Sequence, residues 1–232
     1  MVTLAIDTSA AVAVALVTAD GTTLATQSVN ERRRHAEQLT PMIEEVLAAA
    51  GLTSADVTGI AVGTGPAPFT GLRIGLVTAQ TFGLALDVPV WGVPSIDVLA
   101  AQAVDELRLH PGDEVFAVSD ARRREVYWAR YLVVGPQAAV VRVAGPAVDK
   151  AADAITAWLR SDAEMPGARM VIVGEGAVLY PGALPLTTGA PRVPDPAMLA
   201  RIAVARAKAG VEQPTTPLYL RRPDIHEKQP KQ

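Results

Sequence analysis

The first residues able to do chemistry come early: Asp7-Thr8-Ser9 closes an apolar run that begins at Val2. A carboxylate beside two hydroxyls at a strand exit can hold a hydrated metal ion, or contact a phosphate through its hydroxyls and the turn's N–H groups. The same residue types also serve simply to satisfy turn backbone. The residues alone leave both readings open, so Asp7, Thr8 and Ser9 stand as candidate nucleotide or phosphate contacts. Residues 63–70, Gly-Thr-Gly-Pro-Ala-Pro-Phe-Thr, place glycines ahead of a helical run, where a phosphate cradle would lie. The Gly-Lys-Ser/Thr ending of a Walker loop is missing, and Pro66 and Pro68 each remove an N–H that a cradle needs. The loop reads as a stiff segment that holds Phe69 outward and suits docking better than nucleotide binding.

Other chemistries find little support. The three histidines, His35, His110 and His226, include no pair four residues apart, so the helical metal motifs His-x-x-x-His and His-Glu-x-x-His are absent. No Gly-x-Ser-x-Gly elbow occurs. With no cysteine, disulfides and thiolate metal sites are excluded, and a reducing compartment fits. Two arginine triplets stand out, 32–34 and 122–124. Arg122 follows Asp120 in a tight connection and is a candidate nucleotide or phosphate contact facing an interdomain cleft; the ordinary alternative is a solvated charge cluster. Gly174-Glu-Gly176 follows an apolar strand, where glycines let a base or ribose approach the backbone, although the intervening Glu weakens that signal.

The elements that must position these groups alternate between strand and helix. Strands are expected at 2–6, 11–17, 22–29, 59–63 and 88–93, with Asp20-Gly21 as a hairpin turn. Helices are expected at 31–50, with Pro41 as a kink or first-turn residue, at 71–86, and from Ser95, as a cap, to about 107. A second unit begins after a connector at 108–114, with strands at 114–119, 125–134, 140–143 and 170–173 and helices at 149–161 and 196–209. Both units open alike: an apolar strand ends in Asp, then a tight turn leads to an adjacent strand. A duplicated α/β unit follows.

Half of the 232 residues are hydrophobic, enough for a sizeable core, while the net charge of −3 argues against a chain that grips nucleic acid unaided. A strand begins at once, leaving no basic segment for a signal peptide, and no apolar stretch is expected to span a bilayer, so a cytoplasmic protein is expected.

One feature of the 71–86 helix is costly. Gly71, Gly75, Ala79 and Gly83 recur every fourth residue, forming one small-residue stripe. Each interior glycine costs about 1 kcal/mol relative to alanine. Close approach of another backbone offsets such a cost. From the stripe alone, the chain's own sheet and a second subunit are equal candidates for that backbone.

Four segments together carry a resemblance. Leu4-Ala-Ile-Asp-Thr-Ser9, the run from Gly63 through Phe69-Thr-Gly-Leu-Arg-Ile-Gly75, Asp120-Ala-Arg-x-x-Glu-Val-Tyr127 and Pro217-x-Tyr-x-Arg221 resemble the TsaB (YeaZ) family over nearly the whole chain to about residue 222. The resemblance implies an α/β fold of two ribonuclease-H-like halves of the actin/Hsp70 (ASKHA) type. These would be residues 1–108, carrying the docking helices, and 109–215, followed by a partly disordered tail at 216–232. It also implies a non-catalytic subunit in making threonylcarbamoyladenosine next to the tRNA anticodon. The expected partners are the catalytic paralogue TsaD, the ATPase TsaE and tRNA through the complex, with a homodimer when alone and no membrane. ATP and a metal ion are expected only in the partner subunits. Family dimerisation runs through the first two helices, which here assigns partner contact to His35, Leu39, Met42, Ile43 and Val46, and to Phe69, Gly71, Leu72, Gly75, Ala79 and Gly83. Ala67-Pro68 departs from the family's usual Gly-Ser, which stiffens the loop further. The rival expectation is a small actin-fold ATP-dependent kinase or hydrolase using Asp7.

Overall fold

β1 (Val2–Asp7) alternates side-chain size, with Leu4 and Ile6 on one face of its sheet and Thr3 and Ala5 on the other. The structure, a computed structural model, describes residues 1–29, 35–135, 139–159 and 167–221. β2 (Val12–Thr18) and β3 (Thr23–Val29) follow antiparallel through the Asp20-Gly21 turn, where Gly21 takes a φ of +90°. β4 (Gly59–Gly63) and β5 (Val90–Val93) add in parallel beyond β1, giving the order β3-β2-β1-β4-β5. Across these strands Leu4 lies opposite Leu16 and Ile60, and Ile6 opposite Val14 and Val62. That thick aliphatic face is covered by α1 (His35–Ala49) and α2 (Phe69–Leu86). The other face is thin: Ala5 sits between Ala15 and Ala61. α6 (Pro196–Lys208) settles there through Leu199, Ala200 and Ala203, since bare methyls on both sides permit close approach.

The second sheet repeats the plan. β6 (Glu114–Asp120), β7 (Glu125–Val133) and β8 (Val140–Lys150) form an antiparallel meander, and β9 (Met170–Val173) pairs in parallel with β6, giving β8-β7-β6-β9. α3 (Ser95–Glu106) packs on one face through Ile96, Leu99 and Ala103, against Val115, Tyr131 and Val171. α4 (Ala151–Leu159) and the short α5 (Glu175–Leu179) cover the other with Phe116, Val118 and Val126. The duplication expected from the two Asp-ended openings is therefore present as two meanders, extended by two parallel strands in the first sheet and by one in the second.

The helices do not respect a division at residue 108. α3, from the first half, packs on the second sheet, while α6, from the second half, packs on the first. The chain after α6 also returns to the first sheet: Gly92 N–H donates to Gln213 O (3.0 Å), and Leu218 N–H to Thr64 O (2.9 Å). One carboxylate joins the layers. Asp97 of α3, almost wholly buried, accepts from the Tyr131 hydroxyl of β7 (2.7 Å), from Arg142 of β8 (3.3 Å) and from Arg206 of α6 (3.0 Å).

Several local expectations are corrected. Ser95 does not cap α3; the cap position is Pro94, and the serine hydroxyl bonds elsewhere. β8 runs to Lys150 rather than 143, so α4 starts at Ala151. α1 continues through Pro41, and the expected start of that helix before residue 35 lies outside the described residues, as does the tail beyond 221. α2 is long and apolar enough to cross a membrane by length and composition, contrary to expectation, yet it lies along the sheet through Leu72, Gly75, Leu76, Ala79 and Gly83.

Candidate functional site

Asp7 ends β1 with its carboxylate buried and fully engaged. Oδ1 accepts from Ser9 N–H (2.8 Å) and the Ser9 hydroxyl (2.6 Å), and Oδ2 accepts from the Ser95 hydroxyl (2.6 Å). Ser95 Oγ in turn accepts from Gly65 N–H (3.2 Å). Gly63 must lack a side chain here, because a Cβ would stand 2.0 Å from Asp7 Oδ2. Thr8 turns toward α2: its hydroxyl donates to Gly71 O (2.8 Å) and accepts from Gly75 N–H (3.2 Å). Beside Asp7 the space lined by Ser9, Pro66, Ser95, Ser119 and Arg192 shrinks to a cavity of about 10 Å³. That is room for roughly one water. In this structure Asp7, Thr8 and Ser9 satisfy turn backbone and tie β1 to the 63–70 loop, α2 and α3.

Burial pushes the Asp7 carboxyl above its ordinary value of 3.8, against the opposing pull of the hydrogen bonds from Ser9 and Ser95. An acid raised on folding contributes stability below its unfolded value, and that contribution is lost as pH rises through the folded value. Asp7→Asn lacks this loss. Urea unfolding across a pH series is therefore expected to show the stability difference moving in favour of the Asn variant as pH rises from about 4, then levelling off. A flat or opposite trend refutes the assignment.

The glycine row is also satisfied within the chain. A Cβ on Gly75 would meet Thr8 Oγ1 at 2.5 Å, and one on Gly83 would meet Val90 Cγ2 at 2.2 Å. Ala79 is fully buried in the core, and Gly71, half-buried, gives its carbonyl to Thr8. At Gly75, Ala79 and Gly83 the stripe faces this chain's own sheet, so the bareness of Gly75 and Gly83 serves packing within the chain. Leu39, Met42, Ile43, Val46 and Leu72 are likewise buried in the first core, because the thick aliphatic face of the sheet needs precisely spaced large side chains over it. His35 opens α1, and its side chain lies outside the described residues. Phe69 is half-buried, in tilted contact with Tyr219 at 5.0 Å between centroids, with the Arg73 guanidinium 4.4 Å above its ring.

What α2 turns outward was missed at the sequence level. Val77 is 58% exposed and Leu84 86% exposed, with Arg73, Gln80 and Thr81 beside them. The signal was available: 18 residues of mean hydropathy 1.2 are apolar around the whole helix, more than one sheet-facing stripe accounts for.

The other flagged residues also find their places. Arg122 bonds back to Asp120, N–H to Oδ1 at 2.8 Å and guanidinium to Oδ2 at 3.2 Å, and its side chain stays half-exposed. Gly174 (φ +100°) is required by Val118 O, which a Cβ would approach to 2.0 Å, so its bareness serves the packing of α5 on β6 rather than a ribose. Arg32–Arg34 lie outside the described residues.

Two sheets that share a three-strand meander with a parallel strand beside its first member, each covered by a helix from the other half, define an actin-like (ASKHA) α/β protein. The family model described as TsaD, tRNA N6-adenosine threonylcarbamoyltransferase, matches residues 23–173. YeaZ from Pseudomonas aeruginosa superposes with a TM-score of 0.75 at 30% identity, over 94% of this chain and 99% of that one. An uncharacterized protein of Mycobacterium tuberculosis is 43% identical over 196 residues, 84% of this chain and 78% of its own length. The tRNA threonylcarbamoyladenosine biosynthesis protein TsaB of Escherichia coli is 37% identical over 99 residues, 43% of this chain and 42% of that one. The chain belongs to the TsaB (YeaZ) family, as its own motifs implied.

Proposed function

We propose that this chain is a non-catalytic subunit in the synthesis of threonylcarbamoyladenosine in tRNA, binding the catalytic paralogue TsaD and, through that complex, the ATPase TsaE and the tRNA. The observation that carries the reading is the outward apolar face of α2, on a chain whose relatives include proteins named for this biosynthesis. Burying Val77 and Leu84 against a partner contributes roughly 1.5–3 kcal/mol each, which gives the docking face a driving force. The same face serves a homodimer when the chain is alone. Asp7 supports the reading from the other side: its carboxylate is held by Ser9 and Ser95 next to a cavity of about 10 Å³, an arrangement unsuited to the kinase or hydrolase alternative. ATP and a metal ion then belong to the partner subunits.

The test uses the exposed pair. The double variant Val77→Asp, Leu84→Asp is expected to keep its urea midpoint within about 0.5 kcal/mol of the parent in stability, since surface changes rarely do more. Its affinity for the TsaD paralogue in titration calorimetry is expected to fall at least about 100-fold, because desolvating two carboxylates in an apolar contact is strongly unfavourable. Unchanged affinity refutes the docking face. Turnover of ATP by the purified chain alone refutes the non-catalytic role.

A further inference from the structure

The β6–β7 connection holds three consecutive non-glycine residues in the left-handed region: Arg122 (φ 64°), Arg123 (φ 54°) and Arg124 (φ 65°). L-residues resist this backbone because the Cβ crowds the following carbonyl, whereas Gly or Asn adopts it readily. The chain puts exposed arginines there instead. The segment after α6 brings a fourth guanidinium: Arg221 donates to Ala121 O (3.1 Å) and pairs with Glu125 (2.9 Å). Two residues earlier Tyr219, 40% exposed, makes a tilted ring contact with Phe69, over which Arg73 also lies. Two residues of extended chain span about 7 Å, and Arg221 reaches the turn at Ala121 O, so this segment links the ring pair to the arginine turn.

We propose that this junction is an RNA-binding surface, with Arg122 and Arg124 on the phosphodiester backbone and the exposed Tyr219 ring as a stacking platform for an unpaired base. It rests on the reading of the chain as a tRNA-modifying subunit and assigns the RNA contact to this subunit itself. Arginine forks match phosphate oxygens, and aromatic rings take bases that are unstacked in RNA loops. Arg122 holds Asp120 (3.2 Å) while half of its side chain stays open to solvent. An acidic protein segment would satisfy the arginines but gives the exposed Tyr219 ring no role, which is why RNA is the better occupant. The surface adjoins the docking face: along the α2 axis Phe69 lies about 12 Å from Val77 and about 22 Å from Leu84. The chain's net charge of −3 makes its affinity for RNA alone weak and salt-sensitive, so the contact acts within the complex.

The experiment measures binding of an unmodified tRNA transcript to the complex of this chain with its TsaD paralogue, by fluorescence anisotropy at several salt concentrations. In Arg122→Asn, Arg124→Asn, asparagine accepts the left-handed backbone and the turn is preserved. This variant is expected to bind roughly 10-fold more weakly, with the slope of log affinity against log salt reduced by between about one and two. Tyr219→Leu keeps apolar cover over Phe69 and removes the π-face; it is expected to weaken binding roughly 10-fold with the slope unchanged. Both variants should retain parental stability and affinity for the paralogue. RNA affinity and slope unchanged in both variants overturn the proposal while the subunit reading survives. Displacement of the tRNA by polyglutamate at equal charge concentration overturns it in favour of an acidic protein partner. A chain that fails to join the paralogue or to support threonylcarbamoylation overturns the subunit reading, and this proposal with it.

Discussion

Gly75→Leu is expected to destabilise the protein by at least about 3 kcal/mol, rather than leaving a folded subunit that has lost its partner. The added Cβ alone would sit 2.5 Å from Thr8 Oγ1 and 3.2 Å from Thr8 Cγ2. Thr8 cannot swing away without loss, because its hydroxyl holds both Gly71 O and Gly75 N–H. The leucine branch would then have to enter the space where α2 lies on the exit of β1. Replacing a helical glycine returns about 1 kcal/mol of backbone propensity, too little to offset the overlap. Urea denaturation followed by circular dichroism measures this directly. The contrast with Val77→Asp, Leu84→Asp makes the test two-sided: the inward change should cost stability, the outward change association. A stable Gly75→Leu protein that merely fails to bind its paralogue would restore the stripe as an interface.

That contrast also marks where the sequence was readable and where it was not. The stripe announced that something packs closely on α2; the Thr8 and Val90 side chains do so, and a spacing rule carries no information about whether backbone or side chain, or whose, fills the space. β1, the Asp20-Gly21 hairpin, α2 and the repeated Asp-ended openings were legible because each is written in a few adjacent residues. Ser95 misled for the opposite reason. It stands where a helix cap would, but its hydroxyl is claimed by Asp7, 88 residues away in the chain. The strand expected at 140–143 runs on through Gly145-Pro146 to Lys150 as β8. As the edge strand of its sheet, it tolerates a proline, and the register shifts between Trp128 and Tyr131 of β7 absorb the irregularity. The exchange of α3 and α6 between the halves has no local signature. It depends on the match between the row Ala5, Ala15, Ala61 and the small face of α6, which appears only once three strands are aligned. Of the candidate site, the residue types were visible, but the direction in which Thr8, Gly75 or Leu84 points was not.

Asp97→Ala is expected to destabilise the protein by about 3 kcal/mol and to loosen the attachment of one sheet to the other. The carboxylate is the shared acceptor of three donors from three elements: Tyr131 of β7, Arg142 of β8 and Arg206 of α6. Removing it leaves the buried Tyr131 hydroxyl without that acceptor and brings two guanidiniums together with no anion between them. Both arginine side chains are 35% exposed, so water screens part of their repulsion, and the larger share of the cost falls on the tyrosine and the lost packing. Burial, reinforced by the Asp97 charge and hydrogen bond, pushes the Tyr131 hydroxyl well above its ordinary range, which favours the protonated donor form. A double-mutant cycle isolates the link. Tyr131→Phe should cost about 1–2 kcal/mol in the parent and nearly nothing in the Asp97→Ala background, because the bond it removes is already gone. Equal costs in the two backgrounds would show the pair to be uncoupled. In that case the halves are held together by the exchanged apolar faces of α3 and α6 alone, and the polar node is incidental to how this duplicated fold becomes one body.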